Sequence, residues 1–156
     1  MDRPSRDTAM MESAAIWTMR STCSRAQVGS VLCTPDYRIL ISGYNGAPPG
    51  RPHCDHDCDC GKGRPILGGH MSYCASVTPC RQAVHAEANS IAFAAKHGVG
   101  VEGGQLFSTL APCLPCAMLL LTAGISRIVW RDEHRDMSGV EFLDNAGLVV
   151  VKYSHD

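Results

Sequence analysis

Two short stretches, His85-Ala86-Glu87 and Pro112-Cys113-Leu114-Pro115-Cys116, set the tightest condition on what this chain can fold into. A histidine and two cysteines are three of the four donors that a tetrahedral zinc ion takes, and they come from segments well apart in sequence. Any fold that uses them must bring both segments to one point. Structural zinc sites close all four positions with protein, whereas catalytic sites keep one for water. Glu87, two residues past His85, can reach an open position without occupying it. The set therefore implies a metal that acidifies water and a carboxylate that takes the released proton.

The pattern around these motifs reads as alternating helices and strands. Met10, Ala14 and Trp17, with Ile16 nearby, suit an amphipathic helix over 7–20. Val28 to Thr34 and Arg38 to Ser42 read as strands joined through the Pro35-Asp36-Tyr37 turn. Residues 43–84 hold nearly half of the glycines and most of the prolines and cysteines and show no period, so they read as a long loop region that core burial does not tie down. A helix follows over 85–97, with Ala88, Ile91, Ala92 and Ala95 as its apolar face and Gly98 as its stop. Gln105 to Thr109 is a strand, Cys113 to Ala123 a helix capped by Gly124, and Ser126 to Trp130 a strand. Gly139 to Asn145 is a short helix and Leu148 to Tyr153 a closing strand. The succession α-β-β-α-β-α-β-α-β predicts an α/β layered domain in which both metal motifs open helices. Helix N-termini suit an anionic ligand sphere, and N–H bonds to the sulfurs would restore Lewis acidity that two thiolates remove.

With 156 residues the chain fits one domain over 1–156, carrying a Cys-rich loop insert at about 50–82. A formal charge of −1 provides no footprint for nucleic acid. The segment Met1 to Asp7 is charged and lacks the apolar stretch of a signal peptide, and no apolar run is long enough to span a membrane. Nine cysteines without a signal peptide fit a reducing, cytoplasmic compartment and metal ligation better than disulfides. Cys33, inside an apolar run, reads as a buried free thiol.

The two motifs together match the H-x-E…P-C-x-x-C signature of zinc-dependent base deaminases. Over about residues 17–153 the chain resembles, more narrowly, deoxycytidylate (dCMP) deaminases of the bacterial and phage type, within the cytidine-deaminase-like superfamily. The residues that carry this likeness are Ser21-Thr22-Cys23-Ser24-Arg25 leading to Val28-Gly29, Ser42-Gly43-Tyr44-Asn45-Gly46, His53-Cys54, Cys80 and Gly124-Ile125. Phe107 stands where the family commonly has tyrosine, and Ser90 where alanine is common.

The resemblance implies a three-layer α-β-α fold around a central mixed five-stranded sheet. It implies hydrolysis of dCMP to dUMP and ammonia, feeding dTMP synthesis, with Glu87 moving protons between water, ring N3 and the leaving amine. Asn45 would contact the deoxyribose, the backbone around Ala86 and from Thr109 to Ala111 would read the cytosine edge, and Arg25 would meet the phosphate. Similar enzymes are homo-hexamers activated by dCTP and inhibited by dTTP with Mg²⁺, with an effector site around Tyr44, Gly46 and Gly50. The host cytoplasm is the expected location if the gene is phage-encoded.

A second zinc is expected in the cysteine-rich segment, where Cys54, Cys58, Cys60, Cys74 and Cys80 crowd together with His53, His56 and His70. Metal closure would order a segment that lacks its own core. The resemblance implies a structural zinc on Cys23 and Cys54, and Cys80 with one of Cys58 or Cys60 completes the proposed set. Cys74 and His70 serve another ion or none. The competing readings are a deaminase of the same core acting on a nucleoside, on tRNA adenosine or on a pterin-like ring, and a non-enzymatic zinc module. The last leaves the glutamate beside an incomplete ligand set unexplained.

Overall fold

The computed structural model describes residues 3–23, 25–53, 80 and 82–155. Helix α1 (Arg6–Trp17) runs into a short 3₁₀ turn, Thr18–Arg20. The strands β1 (Gly29–Cys33) and β2 (Ile39–Tyr44) form the expected hairpin. Then come α2 (Ala86–His97), β3 (Gln105–Leu110), α3 (Leu114–Thr122), β4 (Arg127–Asp132), α4 (Ser138–Asn145) and β5 (Val149–Lys152). This is the succession that the pattern of the chain predicts.

The five strands form one mixed sheet in the order β2-β1-β3-β4-β5. β1 is antiparallel to both its neighbours, while β3, β4 and β5 run parallel. Parallel neighbours need a crossover, and α3 and α4 supply the two required. Strand register builds the core in rows. Leu32, Leu106, Ile128 and Val150 lie side by side and face Ala117, Leu120 and Leu143 of α3 and α4. One residue along, Val31, Phe107, Val129 and Val151 form the opposite row, which packs on Met11 and Ala14 of α1. The period-2 alternation of the strands thus sorts the helices into two outer layers.

Three local expectations change. In α1 the buried positions are Thr8, Met11 and Ala14, while Ile16 and Trp17 are exposed; Met11, not Met10, enters the core. In α2 the buried face is Ala86, Glu87, Ser90 and Ala94, and Ala92 and Ala95 face outward. That face is made of small and polar residues because α2 lies very close to the sheet. A Cβ on Gly43 would stand 2.3 Å from Ser90 Oγ and 2.6 Å from Ala86 O. Ser90 and Ser30 hydroxyls hydrogen-bond across this contact at 2.9 Å, fully buried. Third, β2 continues through Gly43 and Tyr44, so the loop region starts later than its glycine suggests. Among the described residues no helix is long and apolar enough to cross a membrane.

Candidate active site

Both metal motifs sit where a helix begins. His85 is the N-cap of α2 and Cys113 the N-cap of α3, each with extended backbone at φ −70°, ψ 154° and φ −71°, ψ 164°. Pro at the start of α3 costs it no hydrogen bond, because the first turn has unpaired N–H groups anyway. The turn before α3 is anchored to the sheet by Ala111 N–H, which donates to Asp132 O at 2.8 Å. From the other side α4 presses against it. A Cβ on Gly139 would come within 2.2 Å of Pro112 O, so only glycine allows that approach.

The result is a compact triad. His85 Nδ1 lies 3.3 Å from Cys113 Sγ and 3.4 Å from Cys116 Sγ, and all three donor atoms fall within 4.8 Å of one another. Tetrahedral zinc with ordinary Zn–N and Zn–S bonds would hold such an N and S about 3.6 Å apart. One imidazole nitrogen and two sulfurs are also the donors zinc favours. The residues therefore fit Zn²⁺, with His85 binding through Nδ1. No other group of three such donors occurs among the described residues.

The surrounding fields suit anionic sulfur. The backbone N–H groups of Cys116 and Ala88 stabilise negative charge on Cys113 and Cys116 respectively. A hydrogen bond from Cys116, with further help from His85, pulls the Cys113 thiol down to about 4. Donating that bond, together with burial, pushes Cys116 up. The His85 imidazolium is favoured by its contact with Cys113. Glu87 is only 3% exposed, and burial pushes its carboxyl up to about 7 against the pull of its own N–H, His85 and Cys116. It is a buried acid beside the triad.

Around the triad, Val28, Ala86 and Leu110 pack together with Ala26 against them, which brings loop 21–28 to the same end of the sheet. Thr109 and Ala111 are buried there, and Thr109 Oγ1 accepts from Gly29 N–H at 3.1 Å. Asn45 is buried and its amide is heavily engaged. Oδ1 accepts from Ser21 Oγ at 2.7 Å and Val28 N–H at 2.8 Å, and Nδ2 donates to Ala26 O at 2.7 Å. Arg25 is half-buried in the same loop. Gly46 and Val84 exchange two backbone hydrogen bonds of 3.0 and 2.8 Å, fixing the residue just before His85.

Of the residues expected at an effector site, Tyr44 stacks on Trp17 with ring centroids 6.3 Å apart, and Gly46 abuts Thr22. Gly50 lies in an exposed turn at φ 78°. For the second zinc, Cys23 is buried and Cys80 half-buried, near enough to influence His85, while His53 is exposed. Cys54, Cys58, Cys60, Cys74, His56 and His70 lie outside the described residues. Sequence reasoning missed Asn89, whose Nδ2 donates to Tyr44 O at 2.7 Å. Its signal was available: asparagine inside a helix is a weak helix former and often bonds elsewhere.

A mixed sheet that delivers two helix N-termini to a His-Cys-Cys triad, with a buried glutamate beside it, defines a zinc-dependent hydrolytic deaminase. The chain belongs to the cytidine and deoxycytidylate deaminase zinc-binding family, whose model matches residues 4–131. It is 35% identical over 136 residues to the deoxycytidylate deaminase of Mycobacterium phage D29, covering 85% of this chain and 99% of that one. To the deoxycytidylate deaminase of Saccharomyces cerevisiae it is 31% identical over 157 residues, 97% of this chain but only 46% of the yeast protein's length. The crystal structure of the cyanophage S-TIM5 dCMP deaminase in complex with dCMP and dUMP is similar at 27% identity. That match covers 98% of this chain and 100% of the cyanophage chain, with a TM-score of 0.76.

Proposed function

We propose that this protein hydrolyses dCMP to dUMP and ammonia. The reading is carried by the near end-to-end match to a cyanophage deaminase solved with that substrate and product. In the net reaction the C4–N bond of cytosine breaks, a C4–O bond forms from water, and the amine leaves as ammonia. His85 Nδ1, Cys113 Sγ and Cys116 Sγ would hold Zn²⁺, which when bound would supply the Lewis acidity that makes water nucleophilic near neutral pH. Glu87 does the proton work. Its carboxylate accepts a proton from the attacking water, delivers one to ring N3 and then assists the departing amine. Burial suits this role, since a carboxyl raised towards neutrality both accepts and returns a proton readily.

Ala86, Thr109 and Ala111 offer backbone groups to the cytosine edge, Asn45 its remaining amide hydrogen to the deoxyribose, and Arg25 its guanidinium to the phosphate. The same reading includes a hexamer regulated by dCTP and by dTTP with Mg²⁺ near Tyr44, Gly46 and Gly50. It also includes a second zinc on Cys23, Cys54, Cys80 and one of Cys58 or Cys60.

Ammonia release from dCMP, deoxycytidine and CMP, each with and without dCTP or dTTP plus Mg²⁺, tests the assignment. The highest kcat/KM on dCMP is expected, rising with dCTP. Equal or better turnover of deoxycytidine would overturn the nucleotide assignment while leaving the deaminase. Metal analysis showing one zinc per chain would remove the second site.

A further inference from the structure

We infer that Asn89 is a positioning residue for substrate binding. It clamps the Tyr44-Asn45-Gly46 turn to the helix that starts at His85. The inference rests on the deaminase reading above and adds a residue to it.

Asn89 lies one helical turn after His85, and its N–H donates to His85 O at 2.9 Å. Its side chain leaves α2 towards the end of β2 and meets Tyr44 O at 2.7 Å. A carbonyl oxygen only accepts, so the atom facing it must be Nδ2. The next two residues of that turn are tied elsewhere. Asn45 uses its amide on Ser21, Ala26 and Val28, which closes loop 21–28. Gly46 exchanges hydrogen bonds with Val84. The turn is therefore fastened to the metal-site segment on both sides of His85, through Val84 before it and Asn89 after it. On its far side it holds the loop that carries Arg25 and packs Val28 on Ala86.

The two fastenings divide the work. The Gly46–Val84 pair is backbone and holds the approach to His85 whatever the side chains. Asn89 is the side-chain tie, and it fixes the distance between loop 21–28 and the donors. Loosening it should move the groups that meet the sugar and phosphate more than those that hold the metal. Helix stability offers a contrast, because alanine is a better helix former than asparagine. If Asn89 were merely a helical residue, Asn89→Ala would leave the protein as stable or more so, and its kinetics unchanged.

The experiment is steady-state deamination of dCMP by the wild type, Asn89→Ala and Asn89→Asp, with zinc content and Tm measured on the same samples. The aspartate variant is nearly isosteric but, when ionised, has no donor to offer Tyr44 O. Both variants are expected to keep full zinc, to raise KM on the order of tenfold, and to hold kcat within about threefold, the scale of one lost hydrogen bond. Wild-type KM in both variants would overturn the inference, as would loss of zinc in proportion to loss of activity. If the wild type prefers another cytosine compound, the dCMP assignment falls, and the same KM comparison is read on that compound.

Discussion

Strand β3 has an acid near each end, half-buried Asp7 and buried Glu87, and the two ends treat them in opposite ways. At the Gln105 end, Asp7 of α1 is closed off. Arg127 grips it with two bonds, Nη1 to Oδ1 at 3.0 Å and Nη2 to Oδ2 at 2.5 Å, and Tyr37 donates to Oδ1 at 2.9 Å. Gln105 Oε1 takes a further Arg127 N–H at 2.9 Å. At the Leu110 end, Glu87 is buried more deeply and pairs with no arginine or lysine among the described residues; its own N–H, the His85 imidazole and the Cys116 thiol oppose the effect of burial without cancelling it. A carboxylate locked to a guanidinium holds structure, because its proton affinity cannot follow a reaction. A carboxyl left near neutrality can give and take a proton. The protein places one of each along a single strand.

That contrast is most sharply broken by Glu87→Gln. Turnover should fall by a factor on the order of 1000, the scale of general acid–base catalysis, while zinc content stays at the wild-type level. Retained turnover in an ammonia-release assay would remove Glu87 from the proton path. His85→Ala should lose activity and metal together, and zinc added back should restore the chelator-treated wild type but not this variant.

At the other end, Asp7→Asn should leave kcat and KM near wild type and lower stability by about 2 kcal/mol in denaturant unfolding, since it strips a half-buried guanidinium of its partner. A change in kcat without a change in stability would end the division of labour between the two ends.

A smaller effect concerns pH. Burial raises the Cys33 thiol to about 11 and, with the Asp7 hydrogen bond, raises Tyr37. The fold thus favours their neutral forms. The resulting stability is complete below the unfolded thiol value of about 8.5 and is lost as pH rises through about 11. Cys33→Ser should flatten that alkaline loss as followed by unfolding, and native Cys33 should resist thiol reagents at pH 8. Fast labelling there would contradict its burial.

The order of elements and the metal triad were legible in the chain because each rests on local pattern. Strand alternation at Val31-Leu32 and Phe107-Leu106 shows in neighbouring residues, and His85, Glu87, Cys113 and Cys116 announce their chemistry by type and spacing. The face of α2 was not legible. Its alanines mark several possible faces, and Ala86, Ser90 and Ala94 win only because Gly43, some forty residues earlier, lets the helix close on the sheet. Trp17 fits a buried stripe by spacing, yet the core row under α1 is completed by Met11 and Ala14, and the tryptophan is left to stack on Tyr44. The engagement of Asn45 with Ser21, Ala26 and Val28 likewise depends on segments that pattern does not relate.

By itself, then, the amino-acid sequence determined which groups this protein can use: three zinc donors, one acid, and helices and strands in a given succession. The closeness of those groups arose only in three dimensions. Register put Leu110 and Asp132 side by side, glycines 43 and 139 let two helices approach, and the turn at 44–46 fastened loop to ligand. Donor identity is a property of single residues, whereas a separation of 3.3 Å between His85 and Cys113 is a property of packing.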